Sequence, residues 1–303
     1  MELNGLKQPP FQTTLMGVVK GALDYYGIKT TDAWAFGGSG HAFLINVHKE
    51  LCPSGPYCWK DDWMVPLLRN LGLEMTDFGF FHKGTPPAER AALEQRVKGL
   101  LDEGVACAFV NMEYQLINGF DDKALRLARP WDCGEALTPL TLTYGSWKEF
   151  GDEVHVTFFS LRKVAPQDEA KTIRDSLRAA IELFRSPAKY TMEGYGMGPG
   201  AYDNWAAATP GQMASHGNWW NATVWAECRK MAGAYFAEIA AKRSDIAAEA
   251  GQLSTAYGEI GGLLEKIACK ELDPAEKARI ARDLRRLEET AVGRIERLQP
   301  RLG

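Results

Sequence analysis

Residues 8–27 read QPPFQTTLMGVVKGALDYYG, and this stretch contains the pattern on which the fold prediction rests. Five apolar side chains recur there at the spacing of one helix face: Val18, Val19, Ala22, Leu23 and Tyr26. Gly27 follows at once, and glycine commonly ends a helix because it adopts a left-handed backbone without steric cost. We therefore predict a helix over residues 16–26 that is largely buried against the neighbouring strands.

The chain around this helix, up to about residue 164, mixes helical and strand patterns. Helices are predicted over residues 62–70 and 88–101, and strands over residues 42–47, 105–112, 114–120, 124–128 and 155–161. The polar turn at residues 121–123 separates two of these strands and is typical of a hairpin.

After Pro166 the pattern becomes almost wholly helical. Asp168 can cap a helix that runs through Phe184, and a stripe of apolar residues follows the last helix: Ile280, Leu284, Leu287, Ala291, Ile295, Leu298 and Leu302. Because strands disappear at this point, we expect an α+β protein of two domains. The first is a mixed domain over residues 1–164, and the second is an all-helical domain over residues 165–303.

Composition limits the partners that the chain can have. Its 303 residues include 35 Lys and Arg against 39 Asp and Glu, and the resulting net charge of -4 argues against nucleic acid or an anionic membrane. The apolar run at residues 105–110 is far shorter than the ~18 residues that a membrane span needs. No basic segment followed by an apolar one opens the chain, so a cytoplasmic location is expected. The oligomeric state is not indicated.

Cysteine and histidine positions bear on redox state and metal binding. The six cysteines are Cys52, Cys58, Cys107, Cys133, Cys228 and Cys269; their scatter, without any C-x-x-C pair, predicts reduced thiols. The possible ligands His41, His48, Cys52 and Cys58 follow no zinc spacing. We therefore expect no metal and no cofactor.

Residues 8–27 resemble the opening of papain-like peptidases of the bacteriocin-processing type. Gln8 lies six residues before Thr14, which stands at the start of the predicted helix. The resemblance implies that Gln8 helps to form an oxyanion hole and that position 14 is the nucleophile position, where the family carries cysteine. A hydroxyl at that position is a weaker nucleophile than a thiol and needs an adjacent base.

Two further segments continue this resemblance. Residues 112–121 (MEYQLINGFD) are similar to the family segment that begins with the catalytic histidine, so Glu113 occupies the position of the base. Asp132, in the sequence Pro-Trp-Asp, resembles the residue that orients the base. A carboxylate is a poor base for a threonine hydroxyl at neutral pH unless burial raises its pKa.

Over its whole length the chain resembles the family of the butirosin-biosynthesis acyltransferase, which pairs a papain-like half with a helical half. The segments that carry this likeness are residues 39–59 (SGHAFLINVHKELCPSGPYCW), 195–206 (YGMGPGAYDNWA) and 215–232 (SHGNWWNATVWAECRKMA). The resemblance implies a papain-like cysteine-peptidase-type domain followed by an all-helical domain. It also implies a small-molecule or peptide-like ligand and an acyl-carrier protein as a partner to consider.

Each residue of the first half also has a purely structural interpretation. Thr14 is a common type of helix N-cap, and Asp132 beside Pro130 suits a turn. Glu113 lies on a strand, where alternate side chains face solvent. His41 follows a glycine-rich segment and is either a ligand-binding group or a hydrogen-bonded core histidine. Cys52 is either a displaced nucleophile or a structural thiol.

The second half offers one candidate binding cluster. His216, Asn218 and Asn221 alternate with tryptophans at a predicted helix start. They form either a polar cluster over an aromatic wall or, together with Ser215, an ordinary cap and core.

Two functions follow from these residues. The first is a non-catalytic protein that binds a small or peptide-like ligand in the cleft between the two halves. The second is an acyltransferase or amide hydrolase that uses Thr14, Glu113, His41 and Asp132. We favour the first, because an oxyanion donor without a good nucleophile forfeits most of the rate. The distances between Thr14, Glu113 and His41 distinguish the two: an interacting group within ~3.2 Å would favour the enzyme, and hydrophobic separation would favour the binding protein.

Overall fold

The computed structural model describes residues 1–132, 134 and 137–302, and it contains both helices and strands. The helices are α1 (Thr14–Tyr25), α2 (Asp32–Gly38), α3 (Val65–Leu71), α4 (Pro87–Asp102), α5 (Glu169–Arg185), α6 (Pro199–Ala207), α7 (Pro210–Met213), α8 (His216–Lys242), α9 (Ala247–Ala268) and α10 (Pro274–Leu298). The strands are β1 (Asn46–His48), β2 (Leu73–His82), β3 (Ala106–Val110), β4 (Tyr114–Phe120), β5 (Ala124–Leu127), β6 (Thr141–Thr143), β7 (His155–Lys163) and β8 (Tyr195–Met197). The protein is therefore α+β, as predicted.

The chain forms two compact units, and each is built from two segments. Unit 1 comprises Met1–Thr30 and Gly72–Pro166, and unit 2 comprises Thr31–Leu71 and Gln167–Gly303. The predicted division at residue 164 is therefore wrong for residues 31–71, which belong to the helical unit and not to the first half. Aromatic contacts attach this segment to the helices, because the Phe43 ring lies 5.6 Å from Tyr257 and 5.8 Å from Phe236, centroid to centroid.

Unit 1 is built on a six-stranded sheet with the order β2-β7-β3-β4-β5-β6, and the neighbouring strands are antiparallel. The predicted hairpin forms between β4 and β5. Asp121 stabilises its turn, since one carboxylate oxygen accepts hydrogen bonds from the backbone N–H groups of Lys123 and Ala124. The same two bonds hold the pKa of the Asp121 carboxyl below its usual value.

Helix α1 is buried, and β3 and β4 lie side by side, so the predictions for this helix and these strands are confirmed. Glycines allow the chain before the helix to lie directly on it. A Cβ on Gly17 would lie 2.8 Å from the Pro9 carbonyl oxygen, and one on Gly21 would lie 2.3 Å from the Lys7 carbonyl oxygen. At the other end, Gly27 adopts a φ of +68° and the helix stops.

Strand β2 was not predicted from the sequence. It forms an edge of the sheet and pairs with β7, and the register shifts between Asp77 and Phe80. Gly79, with a φ of +98°, lies at this shift. The irregularity interrupts the alternation of buried and exposed side chains that identifies a half-buried strand, so the sequence pattern is weak there.

Unit 2 consists mainly of helices, with one short two-stranded sheet. Asp168 caps α5 by accepting a hydrogen bond from the Lys171 N–H, as predicted. The predicted strand at residues 42–47 is wrong in its first part, because residues 41–43 form a 3₁₀ helix and the strand begins only at Asn46. Strand β1 pairs with β8, which comes from the glycine-rich segment 194–200. Within the described residues, no helix is long and apolar enough to cross a membrane.

Candidate functional site

The first candidate site lies in unit 1, where α1 begins beside the start of β4. The Thr14 hydroxyl donates a hydrogen bond to Glu113 Oε2 at 2.8 Å, and its oxygen accepts one from the Tyr114 N–H at 3.2 Å. Thr14 is 1% exposed and Glu113 is 8% exposed. The fold therefore brings together the residues at the nucleophile and base positions of the papain-like pattern, but in a nearly closed environment.

Gln8 lies beside this pair but does not present a free amide. Its Nε2 donates to the carbonyl oxygens of Tyr114 at 2.8 Å and of Thr14 at 3.4 Å. Its Oε1 accepts the Leu116 N–H at 2.9 Å. Both amide hydrogens are thus engaged by backbone carbonyls, and Gln8 joins the segment before α1 to β4.

The structure also bears on the structural interpretations of Thr14 and Asp132. Thr13, not Thr14, is the N-cap residue of α1, so the N-cap interpretation of Thr14 is wrong. Asp132 has a side chain that is 79% exposed, and its Oδ1 accepts hydrogen bonds from the Gly134 N–H and the Arg129 guanidinium. These contacts match the turn interpretation of Asp132.

His41 belongs to unit 2 and lies in its core. Its ring centroid is 5.7 Å from that of Trp59 and 6.4 Å from that of Trp225, and its Nδ1 is 3.6 Å from the Cys228 sulfur. Burial, and secondarily the charge of Arg229, lowers the pKa of His41 to about 3, so the ring is neutral at physiological pH. A neutral imidazole still offers hydrogen-bonding capacity at its second nitrogen.

That second nitrogen is one of three buried nitrogens of a single aromatic cluster that have no hydrogen-bond partner among the described residues. They are His41 Nε2, Trp63 Nε1 and Trp225 Nε1. Trp59 connects them, since its ring lies 5.6 Å from that of Trp63 and its own Nε1 donates to the Pro56 carbonyl oxygen. Buried polar atoms are nearly always paired, so this cluster calls for water or a ligand.

The predicted polar cluster at the start of α8 has mainly structural contacts. Ser215 caps the helix, and the buried Asn218 donates to the Met213 and Ile267 carbonyl oxygens. Asn221 donates to the carbonyl oxygens of Gly217 and Cys52. His216 is exposed at the first turn of the helix. The cap-and-core interpretation therefore describes Ser215 and Asn218.

Sequence reasoning missed a second polar cluster in unit 2, which we call the thiol–hydroxyl cluster: Cys52, Ser54, Cys58 and Tyr195. The Ser54 hydroxyl donates to the Cys52 sulfur at 2.9 Å and lies 2.7 Å from the Tyr195 hydroxyl oxygen. Tyr195 also makes a side-chain hydrogen bond with Cys58, and burial raises the pKa of the tyrosine. The one signal in the sequence was that these residues fall in segments 39–59 and 195–206, which carry the resemblance to the acyltransferase family.

The cysteines that the structure describes are all free thiols, and Cys133 lies outside the described residues. Cys107 and Cys228 are buried, whereas Cys52 and Cys58 are half-buried and Cys269 is exposed. Among the side chains described, no group of three or more His, Cys, Asp or Glu residues is arranged to hold a metal ion.

No protein-family model matches the sequence, and no curated protein matches it significantly. The papain-like and acyltransferase resemblances therefore rest on the motifs alone.

Proposed function

We propose that this protein is a non-catalytic member of the papain-like fold that binds a small or peptide-like ligand. The proposal rests on one observation: the side-chain amide of Gln8 already donates its hydrogen bonds to the protein backbone. An oxyanion hole needs hydrogen-bond donors aimed at the position where charge develops. The Nε2 group of Gln8 instead donates to two backbone carbonyl oxygens, so it has no hydrogen left for a substrate oxygen.

The state of Thr14 supports the same proposal. A nucleophilic oxygen must reach the carbonyl carbon of a substrate with a free lone pair. The Thr14 oxygen is almost fully buried, and the Tyr114 N–H already occupies one of its two lone pairs, so a substrate carbonyl carbon has little access to it. The pair therefore works best as a link between α1 and β4.

The aromatic cluster around His41 supports the binding part of the proposal. Its three unpartnered nitrogens are buried beside tryptophan rings, which are common in the walls of small-molecule sites. A molecule with hydrogen-bond acceptors between such rings would satisfy the two indole N–H groups. The neutral imidazole can donate or accept, depending on its tautomer.

Acyl transfer or amide hydrolysis is the second candidate, and one distance favours it. Glu113 Oε2 lies 2.8 Å from the Thr14 oxygen, which is within the range of a nucleophile and its base. In this alternative Thr14 attacks the acyl carbon of a thioester or amide, Glu113 takes the hydroxyl proton, and the thiol or amine that leaves takes up this proton. The acyl group then passes from Thr14 to an amine or to water, which gives up a proton as the Thr14 hydroxyl is restored.

Intact-mass spectrometry separates the two candidates. The purified protein is incubated with an activated ester and with an acyl thioester, and any adduct is located by peptide mapping in the wild type, Thr14→Ala and Glu113→Gln. We expect no adduct on Thr14. A saturable adduct on Thr14 that both variants lose would establish the second candidate. A saturable adduct on Cys52 would make that cysteine the nucleophile, and it would equally contradict a non-catalytic protein.

A crystal structure tests the binding part. We expect a non-protein molecule larger than water within about 3.2 Å of His41 Nε2. Ordered water alone around the three nitrogens would mean that the cluster is simply a hydrated core, and the proposal would lose its binding site.

A further inference from the structure

We infer that Cys52 and Cys58 form a reversible modification site, at which a low-molecular-weight disulfide such as glutathione disulfide converts the two thiols into an intraloop disulfide. This inference is independent of the proposed function. It rests on the thiol–hydroxyl cluster, on the hydrogen bonds that fix the loop between the two cysteines, and on the exposure of the two thiols.

The two thiols lie at the two ends of one chain of side-chain contacts that runs through two hydroxyl groups. Cys52 contacts Ser54, Ser54 contacts Tyr195, and Tyr195 makes a hydrogen bond with Cys58. Only five residues separate the two cysteines in the chain, so both thiols belong to one short loop. Closing a loop this short requires local rearrangement alone, because no distant segment has to move.

Two buried asparagines hold the ends of this loop. Asn221 Nδ2 donates to the Cys52 carbonyl oxygen at 2.8 Å, and Asn46 Nδ2 donates to the carbonyl oxygens of Gly55 and Cys58, both at 2.9 Å. Both asparagine side chains are fully buried. The backbone at each cysteine is therefore fixed to the core of unit 2, which holds the two thiols at the ends of this chain of contacts.

Gly55 tightens the loop further. A Cβ at this position would lie 2.1 Å from Asn221 Oδ1 and 2.5 Å from the Asn46 carbonyl oxygen, so the loop backbone packs directly on both asparagines. The loop backbone therefore has little freedom to move, and the rearrangement that joins the two sulfurs is a rotation of the cysteine side chains.

Exposure distinguishes this pair from the other cysteines described. Cys52 and Cys58 are half-buried, whereas Cys107 and Cys228 are buried. Burial also raises the pKa of the Cys107 thiol to about 12, which leaves it almost without reactive thiolate. Cys269 is exposed, and its thiol donates to Glu271 rather than to another cysteine.

The disulfide forms in two thiol–disulfide exchange steps. One cysteine thiolate attacks glutathione disulfide, a mixed disulfide forms, and the glutathione thiolate that leaves takes up the proton that the cysteine lost. The second cysteine then attacks the protein sulfur of the mixed disulfide and releases the second glutathione. The two cysteines are oxidised by two electrons, and glutathione disulfide is reduced to two glutathione molecules.

The test uses the full-length reduced protein in its folded state. It is incubated with glutathione disulfide, quenched with acid, blocked with N-ethylmaleimide and mapped by mass spectrometry. We expect a crosslink between Cys52 and Cys58 that dithiothreitol reverses. In Cys52→Ser and in Cys58→Ser the reaction should stop at a mixed disulfide on the remaining cysteine. Cys269→Ser is the matched control and should form the crosslink at the wild-type rate.

Two results would overturn the inference. One is a wild-type protein that keeps separate mixed disulfides on Cys52 and Cys58 without joining them. The other is a crosslink that forms no faster in the folded protein than in urea, because the fold would then contribute nothing. Circular dichroism of each serine variant shows that it is folded, so a missing product cannot be assigned to unfolding.

Discussion

The Thr14 hydroxyl oxygen lies 2.8 Å from Glu113 Oε2, although 99 residues separate the two in the chain. With the bond from the Tyr114 N–H to the same oxygen, this contact joins the first residue of α1 to the beginning of β4. Gln8 reinforces the junction from the other side, since it bonds to the backbone at both Thr14 and Leu116. The residues that resemble a catalytic set thus hold two elements of unit 1 together.

Thr14→Ala should therefore destabilise the protein. The change removes a hydrogen-bond donor from the buried Glu113 and an acceptor from the Tyr114 N–H, which should lower the free energy of unfolding by about 1–3 kcal/mol. Thr14→Ser keeps the hydroxyl and should lose less. Urea unfolding measures both variants, and equal stability of alanine and wild type would show that the junction contributes nothing.

Gln8→Ala should lower the free energy of unfolding at least as much as Thr14→Ala, because the Gln8 side chain makes three hydrogen bonds to backbone groups. We expect a loss of about 2–3 kcal/mol in the free energy of unfolding, since buried backbone groups are left without partners. Gln167→Ala, at an exposed site, is the control and should change stability by no more than about 0.5 kcal/mol. Similar effects of the two substitutions would contradict the role given to Gln8.

Gly21→Ala should destabilise the protein even though alanine favours helices. A Cβ there would lie 2.3 Å from the Lys7 carbonyl oxygen, which is backbone and cannot turn away, and the strain should cost about 1–3 kcal/mol. Gly251→Ala in α9 is the matched control, because a Cβ there meets nothing within 4 Å. That substitution should stabilise the protein by up to about 1 kcal/mol in thermal unfolding. A neutral Gly21→Ala would mean that residues 7–9 do not pack on α1.

Local signals explain what the sequence could predict. Helix α1, the hairpin turn at Asp121 and the cap at Asp168 each depend on residues within a few positions of one another, so spacing and residue type are enough. Strand β2 escaped prediction because its bulge near Gly79 breaks the alternation of side chains. The resemblance to papain-like peptidases predicted that Thr14 and Glu113 belong to one site. Their spacing in the sequence could not have predicted this.

Long-range contacts explain what the sequence could not predict. Cys228 meets His41 across 187 residues, and Tyr195 meets Ser54 across 141 residues. No local pattern encodes either contact. The direction of a side-chain amide is equally invisible in sequence, so Gln8 could be assigned to the oxyanion position but not shown to donate to backbone carbonyls instead.

The buried ion pair in unit 2 gives a further prediction. Arg229 Nη2 lies 2.6 Å from Glu288 Oε1, and both side chains are almost fully buried. Arg229→Met or Glu288→Leu alone leaves one charge buried and should cost about 3–5 kcal/mol. The double variant should cost clearly less than the sum of the two, because neither charge remains. Chemical denaturation of the four proteins measures this coupling, and additive losses would show that the two residues do not interact.

The last prediction concerns pH and His41. Its pKa is about 3 in the folded protein, against 6.5 for an ordinary histidine, so between these values the unfolded chain binds one more proton at this site than the folded protein. Stability contributed by the neutral ring is complete above pH 6.5 and is lost as the pH falls toward 3. The slope of the unfolding free energy from one such group is at most about 1.4 kcal/mol per pH unit.

His41→Gln should flatten the dependence of the unfolding free energy on pH between about pH 4 and pH 6.5, measured by urea titration at each pH. His216→Gln, at an exposed position, should keep the wild-type slope. If both variants follow the wild-type curve, His41 is not held neutral by burial, and the aromatic cluster around it must be open to water.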